Sequence, residues 1–201
     1  WPQQKQSHLQ NQHQKMSEIF LYDQIGGPTA NAAAILPEIQ AADPGEPITV
    51  RIHSPGGSVL DGEAILQNLR AHPAGFIAVI DGQAFSMAAN IALSADLVRA
   101  APDSWLLFHR TRSYEGGTAM DLARQQRVLD KMDESLLDKL EARLGANNPG
   151  REVLDQRLGE EWWIDGKEAL ALGLADELTA EAALAACKWP RPDTAPAKCL
   201  K

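Results

Sequence analysis

The sequence predicts an α/β protein with a mainly parallel sheet, and three observations lead to this prediction. Short β-prone segments alternate along the chain with segments of helical periodicity. Strands that alternate with helices are joined by crossover connections, which place the strands side by side in parallel. The chain has 201 residues, 44% of them hydrophobic, and this is enough for one domain with its own core.

The predicted elements follow from β-branched and aromatic runs, helical spacing and turn residues. Strands are expected at 18–22, 47–53, 76–80, 97–100 and 105–109. Helices are expected at 30–40, where Pro37 is an internal breaker, and at 61–70, 86–95, 119–144 and 165–172.

The helix predicted at 119–144 is long for a domain of this size. About 25 residues in a helix would span roughly 37 Å. Its apolar residues lie three, four or seven positions apart and form one stripe: Leu122, Leu129, Met132, Leu136, Leu140 and Leu144. The stripe fits two arrangements, a helix packed on its own sheet and a projecting helix that packs on another subunit.

The ends of the chain differ in composition from the middle. Residues 1–16 are rich in glutamine and are expected to be a disordered leader or an addition from cloning. Residues 17–187 are expected to form a single domain. Residues 188–201 carry three prolines and are expected to be a flexible tail.

Composition and charge exclude several classes of function. The net charge is −8, whereas nucleic-acid binding depends on clustered lysine and arginine. No apolar run of 18 residues exists that could span a membrane, and no secretory leader is visible. The two cysteines, Cys187 and Cys199, form no CxxC pair, which argues against a zinc site and favours a reducing compartment. We therefore expect a cytoplasmic protein.

Ser86 lies where a predicted strand, 76–80, is followed by a helix of small residues. A nucleophile fits this position because the strand fixes the backbone and the helix N-terminus stabilises developing negative charge. Serine is also a common helix cap, so this position taken alone favours a structural role.

Two further features could complete a catalytic site. The turn 54–57 contains Gly56 and Gly57, whose backbone N–H groups could bind an oxyanion. His109 ends a buried strand and could act as general base toward a serine on a neighbouring strand. The alternatives are an ordinary strand-to-helix turn and a histidine bonded to a backbone carbonyl.

Taken together, these segments resemble one family. Residues 52–57, 82–88 and 107–109 are similar in order, spacing and context to the proteolytic subunit of the Clp protease. The resemblance covers residues 18–178. The segment Glu161-Trp162-Trp163 is more similar to the phage and prophage branch, which includes head-maturation proteases.

The resemblance implies a ClpP/crotonase-like fold of repeated β-β-α crossover units with a long projecting helix. It implies that Ser86 is the nucleophile, that His109 is the base, and that Gly57 and Met87 provide the backbone N–H groups of an oxyanion hole. The third triad position falls on Glu161, where better-known members have aspartate. Asp165 and Asp155 are nearby alternatives for this acid.

The function implied is a serine endopeptidase that acts on unfolded or flexible polypeptides through an acyl-enzyme, inside a homo-oligomeric ring. Neither a metal nor an organic cofactor is required. The N-terminal segment departs from the loops that engage an AAA+ unfoldase, so this partner stays open. Three alternatives remain: a crotonase-type acyl-CoA enzyme, a Ser-Lys peptidase using Lys131 or a later lysine, and an inactive ring or shell component.

Overall fold

The computed structural model describes residues 17–179, which form strands and helices in alternation. The strands are β1 (Glu18–Leu21), β2 (Ile48–Ser54), β3 (Phe76–Phe85), β4 (Leu97–Ala100), β5 (Trp105–Phe108), β6 (Trp162–Asp165) and β7 (Glu177–Leu178). The helices are α1 (Ala32–Ala41), α2 (Val59–Ala71), α3 (Met87–Leu93), α4 (Ala119–Leu144), α5 (Arg151–Gly159) and α6 (Gly166–Leu172). None of these helices is long and apolar enough to cross a bilayer.

The strands form one sheet that is parallel except at one edge. Along its main path the order is β1-β2-β3-β4-β7, and all of these pairs are parallel. Strand β5 pairs in parallel with β3 and antiparallel with β6. The predicted α/β class with a mainly parallel sheet is confirmed, and it is consistent with a ClpP-like fold.

Strand β3 changes its neighbour half-way along its length. Residues 77–80 pair with β4, whereas residues 83–85 pair with β5. The register between β2 and β3 shifts at the same level, and a Cβ on Gly82 would lie 2.5 Å from Nδ1 of His53. The absence of a side chain at Gly82 therefore lets β3 continue past His53 and carry Ser86 toward β5.

Helix α4 is divided into two parts with different surroundings. Within it, only Asp133, Leu137, Leu140 and Leu144 are buried. Farther toward the N-terminus, the side chains of Leu122 and Val128 are 49% and 48% exposed. The C-terminal half of α4 therefore packs on its own domain, whereas Leu122 and Val128 in the N-terminal half stay exposed, and packing of this half on another subunit stays a prediction.

Several details differ from the sequence-based expectations. Helix α1 continues through Pro37, although proline removes one backbone donor and crowds the preceding turn. Helix α5 and strands β6 and β7 were not predicted, because their short, charge-rich or tryptophan-rich segments carry little periodicity. The predictions for residues 1–16 and 188–201, together with Cys187 and Cys199, lie outside the described residues.

Candidate active site

Ser86 occupies the junction between β3 and α3. Its backbone is in a conformation rare for a residue with a side chain, with φ 56° and ψ −120°. Its N–H donates to the carbonyl of Leu107 on β5 at 2.8 Å. Its side chain makes no capping hydrogen bond to α3, so a capping role does not explain this serine. Such strain at one residue is typical of functional sites.

The turn 54–57, here called the glycine turn, is fixed against this junction. The Ser54 hydroxyl donates to the carbonyl of Asp23 at 2.7 Å and accepts from the N–H of Gly56 at 3.1 Å. Gly56 has φ 84°, and a Cβ there would lie 2.4 Å from the Phe85 carbonyl oxygen and 2.8 Å from the Ser86 Cβ. Only glycine therefore allows the turn to contact the Ser86 backbone.

The two N–H groups expected to form an oxyanion hole belong to the residues that follow the two partners of this contact, Gly57 after Gly56 and Met87 after Ser86. Gly57 has φ 143°, and a Cβ there would lie 2.2 Å from the Ile25 carbonyl oxygen. Met87 is the first residue of α3, where a backbone N–H has no partner within the helix. Both residues line the same cleft as Ser86.

His109 follows the last residue of β5 and lines the cleft together with Ser86. Its Nδ1 lies 2.7 Å from the carbonyl oxygen of Arg110. Because a carbonyl oxygen only accepts, this hydrogen bond requires the proton on Nδ1. Nε2 is then the basic nitrogen of the neutral ring, which is the form that a general base needs.

Glu161 immediately precedes β6. Phe108–Trp162 is the last pair of the β5–β6 ladder, so His109 follows β5 and Glu161 precedes β6 at the same end of these two strands. The Glu161 carboxylate accepts a hydrogen bond from the Arg112 guanidinium. This bond is the main reason that the pKa of Glu161 is lowered, and the charge of His109 acts in the same direction. The carboxylate is therefore ionised at neutral pH.

The two other carboxylates considered for the acid are engaged elsewhere. Asp165 pairs with Trp105, which is four residues before His109 and about 13 Å away along an extended strand. Its side chain also accepts from the N–H of Glu168 at 2.8 Å and caps α6. Asp155 accepts from the Arg110 guanidinium at 2.6 Å.

The cleft has a volume of about 1620 Å³ and an apolar wall from α4, formed by Leu129, Met132 and Leu136. Two polar residues that the sequence reasoning missed, Glu63 and Asn90, also line it. Asn90 could have been noticed, because it is polar, lies in a helix of small residues and follows Ser86 by four positions. Within residues 17–179, no group of three or more His, Cys, Asp or Glu side chains is placed to hold a metal ion.

An α/β fold that carries a strained serine, a histidine and a glycine turn on one cleft is typical of hydrolytic enzymes. A profile of the Clp protease family matches residues 3–182. The chain therefore belongs to the Clp protease family, which is a family of peptidases.

Individual relatives agree with the family match. The chain is 29% identical over 163 residues to an ATP-dependent Clp protease proteolytic subunit of Porphyromonas gingivalis, covering 80% of this chain and 72% of that protein. It is 32% identical over 152 residues to proteolytic subunit 1 of Chlamydia abortus, covering 73% and 77%. With that of Chlamydia pneumoniae it shares 31% identity over 143 residues, covering 69% and 73%.

The requirement for glycine at position 56 can be tested by substitution. Gly56→Ala should lower the midpoint of thermal unfolding by about 2–8 °C or more, because a left-handed conformation costs a residue with a side chain about 1–2 kcal/mol before any clash is counted. It should also abolish peptidase activity. Gly116→Ala is the matched control, since a Cβ there meets nothing within 4 Å. Equal unfolding midpoints for the two variants would contradict the argument.

Proposed function

We propose that this protein is a serine endopeptidase that cleaves unfolded or flexible polypeptides through an acyl-enzyme on Ser86. The observation that carries the proposal is the common cleft of Ser86, His109, Gly57 and Met87. These residues supply a nucleophile, a base and two backbone donors, which are the parts that acyl transfer requires.

The reaction follows from these groups. The Oγ of Ser86 attacks the carbonyl carbon of the substrate while Nε2 of His109 takes the hydroxyl proton. The N–H groups of Gly57 and Met87 donate to the oxyanion that forms. The C–N bond then breaks, and His109 returns the proton to the leaving amine. Water attacks the acyl-enzyme with the same base and restores Ser86.

Glu161 is the proposed acid of the triad. Its place at the same end of the β5–β6 pair as His109 and its ionised carboxylate support this role, because a negative charge stabilises the imidazolium that forms during the reaction. In the structure this carboxylate is bonded to Arg112, and Nδ1 of His109 is bonded to a backbone carbonyl. The role therefore requires Glu161 to act through its charge or to change partner in the substrate complex.

The protein is proposed to work as a homo-oligomeric ring that encloses its active sites. The N-terminal half of α4, with its exposed Leu122 and Val128, supports the presence of a partner surface. The relatives are named as proteolytic subunits of an ATP-dependent protease, which favours an AAA+ ATPase as a further partner.

A narrower affiliation is also proposed. The segment Glu161-Trp162-Trp163 supports a place nearest to the phage and prophage branch of the family. The cytoplasmic location stays a prediction. The acyl-CoA and inactive-shell alternatives have no support from the relatives, which are named as proteolytic subunits.

Covalent labelling tests the nucleophile and the base. A fluorophosphonate probe should label the wild-type protein at Ser86, whereas Ser86→Ala should show no labelling and His109→Ala should be labelled at least about 100-fold more slowly. Ser135→Ala is the matched control, because Ser135 lies in the same cleft. Mass spectrometry of the labelled peptide gives the site. A folded, assembled wild-type protein that resists the probe would refute the proposal.

The assignment of the acid is tested by two amide substitutions. Glu161→Gln should lower kcat between about 10-fold and 10⁴-fold, because the imidazolium loses its counter-charge. Asp155→Asn should change kcat by no more than about twofold, since it removes a surface partner of Arg110. Steady-state peptide hydrolysis measures both variants. The reverse order of effects would reassign the role to Asp155.

The two parts of α4 allow assembly to be separated from folding. Leu122→Asp should keep the circular dichroism spectrum and unfolding midpoint of the monomer fold but sediment as a smaller species. Leu140→Asp should unfold the domain at a cost of more than about 4 kcal/mol, because Leu140 is 0% exposed. A Leu122→Asp protein that assembles like the wild type would show that this half of α4 is not the interface.

A further inference from the structure

We propose that the cleft selects substrates with a carboxamide side chain, glutamine in particular, at the residue whose carbonyl carbon is attacked. The inference deepens the proposed peptidase function and rests on it. It is carried by three polar residues that are hydrogen-bonded to one another, here called the polar cluster: Glu63 on α2, Asn90 on α3 and Lys139 on α4.

The polar cluster lies within reach of a bound side chain. The N–H of Asn90 donates to the carbonyl of Ser86 at 3.1 Å, so Asn90 lies one helical turn, about 5.4 Å, beyond the nucleophile. Asn90 and Glu63 both line the cleft that contains Ser86. A side chain attached to the attacked residue would have to extend by about one such turn to reach Asn90, which a glutamine side chain is long enough to do.

The charges within the polar cluster cancel. The Lys139 ammonium donates to Oε1 of Glu63 at 3.0 Å and to Oδ1 of Asn90 at 2.9 Å. The Lys139 side chain is 15% exposed and does not line the cleft, whereas that of Glu63 is 36% exposed. The surface offered to a substrate is therefore polar but carries no net charge.

Hydrogen-bonding capacity remains on both residues of the polar cluster that line the cleft, Glu63 and Asn90. Within the described residues, the bonds received by Glu63 end on Oε1, which leaves Oε2 as an acceptor. The Asn90 amide nitrogen has only long contacts, 3.4 Å to Glu63 and 3.7 Å to Sδ of Met87. One acceptor and one donor side by side match the N–H and C=O of a carboxamide.

The rest of the pocket suits the methylene groups of such a side chain. Met87, Met132 and Leu136 line the same cleft. Met87 is held in place, because a Cβ on Gly62 would lie 2.3 Å from its Cγ. A bound glutamine would place its methylene groups against these apolar side chains and its amide against the polar cluster.

Other side chains fit this pocket less well. Leucine would take Glu63 and Asn90 out of water without replacing their hydrogen bonds, which is costly. Lysine would approach the ammonium of Lys139, and glutamate would approach the carboxylate of Glu63. Asparagine has the right group but is one methylene shorter.

Fluorogenic peptides that differ only at the residue before the cleaved bond test this inference on the full-length protein. The value of kcat/KM should be at least about 10-fold higher for glutamine than for leucine, lysine or glutamate, since buried polar groups left unpaired discriminate strongly. Equal or faster cleavage after leucine would overturn the inference.

Two single variants give directional tests. Lys139→Met leaves the charge of Glu63 uncompensated, so the preferred residue should change from glutamine to lysine. Glu63→Gln leaves the charge of Lys139 uncompensated and is close to isosteric, so the preference should change to glutamate. Glu177→Gln is the control, because it removes a carboxylate that pairs with Arg99 between β4 and β7, and it should leave the preference unchanged.

Failure of this inference is distinguishable from failure of the proposed function. If Ser86 is labelled by the fluorophosphonate but neither variant changes the order of preference, the polar cluster does not select the substrate. If Ser86 is not labelled and no peptide is cleaved, the peptidase mechanism itself is wrong.

Discussion

The contact between Gly56 and the backbone of residues 85–86 is the constraint on which the site depends. It joins the end of β2 to the end of β3 with no room for a Cβ. The close passage of β3 by His53 at Gly82 and the hydrogen bond from the N–H of Ser86 to Leu107 bring the same junction to β5. Backbone geometry thus assembles the serine, the glycine turn and the strand that leads to His109. The side chains of Ser86 and His109 then provide the reactive groups.

The placement of His109 depends on the long helix. Asp133 is a charged residue of α4 that is only 6% exposed, and its carboxylate accepts from the N–H of Thr111 at 2.7 Å. It also pairs with Arg110, whose carbonyl oxygen holds Nδ1 of His109. The segment after β5 is therefore tied to α4 by a buried charge. An unpaired charge there would be costly, which explains why these partners meet.

Local sequence signals reveal the parts of the site that lie at strand ends. Ser86, the glycine turn and His109 each follow a predictable strand, so their chemistry could be inferred from neighbouring residues. The position of Glu161 depends on the pairing of β6 with β5. The first three residues of β6 are all apolar, and a run without alternation does not predict which strand it pairs with. Glu63 and Lys139 are 76 positions apart, and only tertiary packing brings them together.

Helix α4 links three properties of the molecule that are otherwise separate. Its N-terminal half carries the exposed apolar residues, and its middle supplies Met132 and Leu136 to the cleft wall. One turn farther along, Lys139 neutralises Glu63, while Leu140 anchors the helix in the core. An α-helix is continuous and stiff over these few turns, so a partner that holds the exposed half also fixes the wall and the charge of the pocket. In the proposed assembly, subunit contacts and substrate selection would therefore be mechanically connected through a single element.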